Sequence, residues 1–195
     1  MQNNLAKLIS IVFNPLIILV PVPFFLVLEK TDNLSAAIGW TLFSLAFVGI
    51  YSAFILIGIK LKIFSDLDIS NQKQRPLLFG VGIILMLIYL GSLFIFHAPS
   101  ILALGAIAII LGVAVLGFVN SYTKASGHLA VLSAFLTFLA LVEGWQFLLS
   151  FVLLPIVAWA RIKTKNHTPF QTVLGTFIGI ATTLMVYVIV KYIVK

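Results

Sequence analysis

The chain has 195 residues, of which 62% are hydrophobic and only 9% are charged, and its mean hydropathy is +1.22. Soluble domains are about half apolar and about a quarter charged. This composition therefore excludes an ordinary soluble enzyme, a nucleic-acid-binding protein and a disordered chain. Cysteine is absent from the sequence, which excludes disulfides and cysteine nucleophiles. We expect an all-α, polytopic transmembrane helical bundle, a single integral-membrane domain over residues 1–195 in the lipid bilayer.

Charge-free runs predict the membrane spans, because a helix needs about 20 apolar residues to cross the hydrocarbon. In chain order the runs are Leu8–Leu28, Asn33–Ile59, Pro76–Thr123, Ala125–Val142, Gly144–Ala160 and Asn166–Val190. The third run is long enough for two helices, and His97-Ala98-Pro99-Ser100 favours a break within it. The first run carries three prolines and is expected to be kinked or re-entrant. The sequence thus predicts seven spans, or six if the first run does not cross.

Two further patterns concern how these helices pack. The two shortest runs meet at a single turn, Glu143-Gly144-Trp145-Gln146, which predicts a tight helical hairpin. Gly175 and Gly179 in the last run form a small-xxx-small pattern, which is typical of closely packed helices in membranes.

Polar residues concentrate in three loops that we expect on one side of the membrane: Ser65–Pro76, Asn120–His128 and Ala160–Gln171. These loops contain both arginines, two of the three histidines and much of the excess positive charge, which is +7 for the whole chain. The positive-inside rule places this side in the cytoplasm. Lysines at such positions also suit contact with lipid headgroups.

The three loops carry groups suited to phosphate chemistry. Arginine presents a planar fork of donors that matches phosphate oxygens. Ser126-Gly127-His128 precedes a span, so its backbone N–H groups lie at the positive end of a helix. Two histidines on different loops can divide the work, one attacking phosphorus and the other protonating the leaving oxygen. Gln171 lies on the same helical face as His167, where its carbonyl can accept the imidazole N–H and leave the other nitrogen to attack.

Three motifs, taken in order, resemble the signature of the type 2 phosphatidic acid phosphatase superfamily of membrane lipid phosphatases: Arg75-Pro76, Ser126-Gly127-His128, and Arg161 followed after five residues by His167. The family form is Lys-x6-Arg-Pro, Pro-Ser-Gly-His and Ser-Arg-x5-His-x3-Asp. The stretches Ile9–Pro15 and Ser65–Arg75 also resemble a small bacterial branch of this family. The resemblance implies a helical enzyme of a prokaryotic plasma membrane that needs no metal or other cofactor.

The resemblance also implies a role for each matching residue. His167 is expected to be the nucleophile that forms a phosphohistidine, and His128 the general acid for the leaving alcohol. Phosphate oxygens are expected to be held by Arg75, Arg161, Ser126 and the Gly127 amide. The implied substrate is a membrane lipid phosphate, namely phosphatidic acid, phosphatidylglycerol phosphate or a polyprenyl phosphate or diphosphate.

The chain departs from the family pattern at two functional positions. Asp68 stands where the family has a lysine, so the missing cation is expected to come from Lys73, Lys62 or Lys124. Gln171 stands where the family has an aspartate. Its neutral amide can orient the His167 ring but cannot offset the charge of the imidazolium, which predicts lower activity.

Two other functions stay open at this point. A non-catalytic relative would bind or transport a phospholipid with the same phosphate seat and would release no phosphate. A magnesium-dependent prenyl or phosphoalcohol transferase would use Asp66 and Asp68 as metal ligands and would be inhibited by a chelator. These two carboxylates also suit a structural role, the capping of a short helix.

Overall fold

A computed structural model describes residues 2–193 and confirms the all-α class, because every regular element in that range is helical. The α-helices are α1 Gln2–Val12, α2 Pro15–Leu19, α3 Val22–Thr31, α4 Leu34–Lys60, α5 Arg75–Ile95, α6 Ser100–Tyr122, α7 Gly127–Val142, α8 Leu153–Lys163 and α9 Pro169–Ile193. Short 3₁₀ helices cover Gln72–Gln74 and Trp145–Val152. The ends of the predicted domain, Met1, Val194 and Lys195, lie outside the described residues.

The break predicted in the longest apolar run separates α5 from α6. His97 follows α5 with a left-handed φ of 51°. Beyond it, the N–H of Ala98 donates to the Leu93 carbonyl at 2.9 Å. This closure satisfies a carbonyl of the last helical turn, and Pro99 prevents the helix from continuing.

Within the described range, five helical segments are long and apolar enough to cross a membrane: Leu34–Lys60, Gln72–Ile95, Ser100–Tyr122, Trp145–Lys163 and Pro169–Tyr192. A sixth span is counted if Asn3–Leu19 and Val22–Thr31 together form one broken span. By length and composition, residues 2–193 thus contain five or six helical segments that could span a membrane, as expected of an integral membrane protein. The fifth of the seven predicted spans, Ala125–Val142, corresponds to α7, an apolar helix of only 16 residues, which is shorter than the usual span of about 20.

The helices form two compact units. The first unit comprises Met1–Ile18 together with Phe118–Lys195, and the second comprises Leu19–Gly117. The prediction of a single domain is not tested by this division and stays a prediction.

In the first unit, α7 packs against α8, α9 and the 3₁₀ helix Trp145–Val152, and α1 packs against α8. The predicted hairpin is present, because the chain turns back after α7 at Gly144, whose φ is 116°. A glycine suits this turn, since φ is in the range that residues with a Cβ rarely adopt. The buried core of this unit consists of Ile18, Leu129, Leu132, Leu136, Leu154 and Val157.

Small residues bring α7 and α9 close together. A Cβ on Gly179 would collide with the Ala130 carbonyl and the Ser133 hydroxyl. Ser133 donates a hydrogen bond of 2.9 Å from its hydroxyl to the Thr176 carbonyl on α9. The close packing predicted from the small-xxx-small pattern is therefore confirmed.

In the second unit, α4 packs against α3 and α5. The hydroxyls of Ser44 and Tyr89 form a buried hydrogen bond of 2.8 Å between α4 and α5. The Tyr51 hydroxyl donates to the Leu78 carbonyl at 2.9 Å. These bonds satisfy polar groups that would be costly to leave unpaired in an apolar surrounding.

Candidate functional site

The candidate site in the first unit is built from helix ends. The N-terminus of α7 carries Ser126, Gly127 and His128, and the C-terminus of α8 carries Arg161. His167 and Gln171 lie at the start of α9. The arginine and both histidines are at least nine-tenths buried, with exposed fractions of 1% for Arg161, 6% for His128 and 7% for His167.

The end of α8 explains why five residues separate Arg161 from His167. Lys165 adopts a left-handed φ of 58°, which turns the chain back over the last helical turn. The N–H groups of Asn166 and His167 then both donate to the Arg161 carbonyl, at 3.1 and 3.2 Å. The backbone of His167 is thereby fixed directly beside the backbone of Arg161.

The predicted hydrogen bond between His167 and Gln171 is confirmed, with 3.1 Å between Nδ1 and Oε1. The same Oε1 atom accepts the Thr168 N–H at 3.2 Å, while Thr168 Oγ1 accepts the Gln171 N–H at 3.4 Å. This reciprocal pair is a capping box for α9. Because a backbone N–H can only donate, the atom that faces it is the amide oxygen, and His167 Nδ1 must be the protonated nitrogen. In the neutral ring the lone pair then belongs to Nε2.

The N-terminus of α7 is a buried helix end that its own cap residue does not satisfy. Ser126 occupies the cap position with 0% exposure, and its hydroxyl makes no capping hydrogen bond. That hydroxyl has no hydrogen-bond partner among residues 2–193. The first N–H groups of a helix have no acceptor within the helix, and the helix dipole makes this end positive. A buried anion would satisfy both features.

The same helix end is held against the start of α9. The Ser126 N–H donates to the Gln171 carbonyl at 3.1 Å. Gly175 lies on the next turn of α9, where a Cβ would collide with the Ser126 carbonyl oxygen. Gln171 therefore binds the α7 terminus through its backbone and His167 through its side chain.

Lys124 connects two of the predicted loops. Its Nζ donates to the Asn166 carbonyl at 2.9 Å, one residue before His167. The loop that carries Lys124 is closed by buried Asn120, whose Oδ1 accepts the Ala125 N–H at 3.3 Å. The role of Lys124 as a phosphate ligand stays a prediction.

His128 is oriented by the first helix of the chain. Its Nε2 lies 3.2 Å from the backbone carbonyl of Ser10 in α1. A carbonyl oxygen can only accept, so Nε2 carries a hydrogen. When the ring is positively charged, the second proton therefore lies on Nδ1.

Arg75 and Lys73 belong to the second unit. Buried Arg75 begins α5, and its Nε donates to the Ile69 carbonyl at 3.1 Å. Lys73 is exposed and lies in the 3₁₀ helix that Asn71 caps through Oδ1. The phosphate-binding roles of Arg75 and Lys73 stay predictions, and the helix cap expected from Asp66 or Asp68 comes from Asn71.

Asp66 organises the loop that precedes α5. Its Oδ1 accepts the backbone N–H groups of Asp68 and Ser70 at 2.9 and 3.2 Å, and Ser65 donates to Oδ2 at 2.8 Å. Partial burial raises the pKa of this carboxyl, but the hydrogen bonds from Ser65, Ser70 and Asp68 together lower the pKa below its ordinary value. Among residues 2–193, no three His, Asp or Glu side chains form a cluster that could hold a metal.

Sequence reasoning missed two contributors to the site. Thr168 was detectable, because Thr168-Pro169-Phe170-Gln171 has the capping-box spacing with proline at the first helical position. Ser10 carries no such signal, since it meets His128 across a separation of 118 residues.

No protein-family model, no curated protein and no solved structure matches this chain. The family resemblance therefore depends on the three sequence motifs alone.

Proposed function

We propose that this protein is a membrane lipid-phosphate phosphatase that forms a phosphohistidine on His167. The observation that carries the proposal is the hydrogen bond from His167 Nδ1 to the capping-box oxygen of Gln171. It assigns the lone pair of the neutral ring to Nε2, which is the state that a nucleophile requires. Support also comes from the buried, uncapped α7 terminus, which is bound to Gln171 and suits a phosphate anion.

The proposed reaction has two displacements at phosphorus. In the first, the Nε2 lone pair of His167 forms the N–P bond while the P–O bond to the lipid alcohol breaks. The leaving oxygen takes a proton from the His128 imidazolium. In the second, His128 accepts a proton from a water molecule whose oxygen attacks phosphorus, and the N–P bond breaks to release phosphate. Both histidines then regain their starting protonation states.

Charge stabilisation in this scheme comes from groups of the first unit. The N–H groups at the start of α7 and the Arg161 guanidinium hold phosphate oxygens, and preorganised donors of this kind stabilise developing charge. The apolar spans suit an alcohol with long hydrocarbon chains. This supports a lipid phosphate as the substrate class, with phosphatidic acid, phosphatidylglycerol phosphate and polyprenyl phosphates as the compounds to assay.

The test is phosphate release by purified protein in lipid nanodiscs across that panel, with EDTA present. We expect release by the parent and none above background for His167→Ala and His128→Ala. His97→Ala is the matched control, because His97 lies in the turn after α5 in the other unit, and it should keep parent activity. Release by His167→Ala at the parent rate would overturn the proposal. Loss of release in EDTA would favour the magnesium-dependent transferase that uses Asp66 and Asp68.

A second candidate function is phospholipid binding without turnover. It is favoured by the Gln171 side chain, whose amide serves the α9 capping box and gives the imidazole no charged partner. This candidate predicts saturable binding of phosphatidic acid vesicles by the parent, no phosphate release, and no covalent phosphate on His167 after acid-free quenching. A phosphate trapped on His167 would exclude it.

We also propose that the polar loops face the cytoplasm, as the distribution of lysine and arginine supports. The absence of cysteine allows a direct test. A single cysteine at exposed Lys163 should react with a membrane-impermeant maleimide in inverted vesicles but not in intact cells. A cysteine at Lys30 should show the opposite pattern, and the reverse result for both would overturn this orientation.

A further inference from the structure

The first helix ends early and leaves a carbonyl without its helical donor. In a continued helix, the Ser10 carbonyl would accept the N–H of residue 14. The Asn14 N–H instead donates to the Ile11 carbonyl at 3.1 Å. Proline disfavours helical geometry in the residue before it, so the Asn14-Pro15 pair ends α1 at Val12. The break therefore makes the Ser10 carbonyl accessible to a donor from elsewhere.

That donor is His128. Its Nε2 lies 3.2 Å from the Ser10 carbonyl, and both residues are buried, with exposed fractions of 6% for His128 and 8% for Ser10. The carbonyl fixes one proton on Nε2 and assigns the exchangeable proton of the charged ring to Nδ1. Carbonyls at the C-terminus of a helix also stabilise positive charge on a neighbouring imidazole.

The position of the carbonyl is fixed by packing. The helix α1 lies against α8, and Ile9 and Phe13 on either side of Ser10 pack against the core cluster. Packing therefore holds the carbonyl on a helix that lies against α8, the helix that carries Arg161.

We propose that the C-terminal turn of α1 is a positioning element for His128, in which the Asn14-Pro15 break gives the Ser10 carbonyl to the imidazole and so sets its tautomer. This inference rests on the proposed function for its chemical meaning, because a general acid must present its exchangeable proton toward the leaving oxygen. The contact that carries it is independent of any activity.

The test measures the tautomer directly. The protein is labelled with ¹⁵N-histidine and placed in detergent micelles, and the imidazole ¹⁵N signals are recorded by NMR. The signals of His128 are identified as those that are absent in His128→Ala. We expect the Nε2–H form in the parent. In Asn14→Ala/Pro15→Ala the helix can continue, the N–H of residue 14 competes for the Ser10 carbonyl, and the Nδ1–H form should gain population. Pro21→Ala, a matched change at a helix break in the other unit, should leave the His128 signals unchanged.

A second variant covers the case in which the double variant does not fold. Replacement of Ile11 by its α-hydroxy acid turns the Ser10–Ile11 amide into an ester, whose carbonyl is a weaker acceptor, while the break at Asn14-Pro15 is retained. It should shift the tautomer in the same direction. A parent in the Nδ1–H form, or His128 signals that neither variant changes, would overturn the inference.

Phosphate release separates this inference from the proposed function. If both hold, the double variant should lose about tenfold in kcat with little change in KM, because substrate binding is retained and proton transfer is impaired. If the variants shift the His128 tautomer but the parent protein releases no phosphate, the positioning role is supported and the enzymatic proposal is contradicted. If the parent releases phosphate but neither variant changes the His128 signals, the enzymatic proposal is supported and the positioning role is contradicted.

Discussion

The turn after α4 and the turn after α8 share one backbone arrangement but differ in side-chain chemistry. The first reversal covers Gly58–Phe64 and the second covers Arg161–His167. In each, a left-handed lysine follows the helix, with φ of 60° at Lys62 and 58° at Lys165. In each, one carbonyl accepts the next two N–H groups after that lysine. The local sequences are also alike, since both contain Ile-Lys-x-Lys.

The two reversals differ at their first and last residues. In the first, the ring of Phe64 is only 2% exposed and packs so closely on Gly58 that a Cβ there would collide with it. In the second, arginine takes the place of glycine and histidine takes the place of phenylalanine. The geometry that buries an apolar ring in one place therefore holds an imidazole beside a guanidinium-bearing residue in the other. The five-residue spacing between Arg161 and His167 is thus a property of this helix end.

The substitution expected to have the largest effect makes the second reversal resemble the first. In His167→Phe an aromatic ring can fill the space of the imidazole but offers no lone pair to phosphorus. We expect phosphate release to fall on the order of a thousand-fold or more. The measurement is single-turnover phosphate release in nanodiscs, with thermal unfolding as the control for folding. Phosphate release close to the parent level in a folded variant would contradict the role of His167 as nucleophile, and with it the functional difference between the two reversals.

The next prediction concerns the apolar ring. Phe64→Ala should lower the free energy of unfolding by about 3 kcal/mol, because it deletes a buried ring that packs edge-on against Phe54. Phosphate release by the folded variant should change little. Thermal unfolding in detergent and the release assay check the two statements. A variant that keeps its stability but loses release would show that the first reversal has a catalytic role.

Gln171→Glu sharpens the contrast in chemistry. Glutamate keeps the capping-box acceptor and adds a charge that stabilises the imidazolium of His167. Because charge-assisted hydrogen bonds are about twice as strong as neutral ones, we expect about a tenfold gain in phosphate release. Gln171→Leu is the control that removes the acceptor, and it should lose activity. A loss of activity in the glutamate variant would contradict the assigned role of Gln171.

Glycine at the left-handed positions tests whether the two backbones are equivalent. Lys62→Gly and Lys165→Gly each remove a Cβ from an unfavourable region, and the greater freedom of the unfolded chain offsets part of the gain. We expect each variant to be more stable by about 0.5 kcal/mol. Unfolding midpoints of the two single variants provide the comparison. Opposite signs for the two changes would show that the reversals are not equivalent.

The smallest expected effect concerns Asp66, which lies in the loop that follows the first reversal. Asp66 has a lowered pKa in the folded protein, so the stability it contributes is present above its unfolded pKa and is lost as pH falls through the folded pKa. Because the side chain is only partly buried and solvent screens its charge, Asp66→Asn should cost only about a few tenths of a kcal/mol at pH 7. Unfolding midpoints at pH 7 and at acidic pH should show a gap that closes on acidification. An equal gap at both values would contradict this assignment.

Much of the fold follows from local signals in the sequence. Apolar runs predict the helices, and the break before Pro99 follows from the conformational limits of proline. The length of α7 was harder to predict, because the whole run Ala125–Val142 is apolar. The helix is shorter than the run, because the first residue of the run, Ala125, lies in the preceding loop and the second, Ser126, is the N-cap residue.

The candidate site was predictable to the extent that its residues are close in sequence. The bond from His167 to Gln171 follows from helical periodicity, and the capping box of Thr168 has a recognisable spacing. The contact of His128 with Ser10 has no local cause, because it depends on how α1 packs against α8. The sequence also contains no sign that the Ser126 side chain leaves the N-terminus of α7 uncapped, since a serine at this position normally forms the capping hydrogen bond.

Gly175 has a consequence for how variants of this protein are interpreted. It lies within an apolar helix and contributes no chemical group, yet its missing methyl lets α9 touch the backbone of Ser126. An alanine there would push the two helix ends apart by the thickness of one carbon atom and lengthen the bond from Ser126 to Gln171. If the proposed function holds, a mutational scan would therefore find a loss of activity at this position, although its sequence context is that of an ordinary apolar membrane helix.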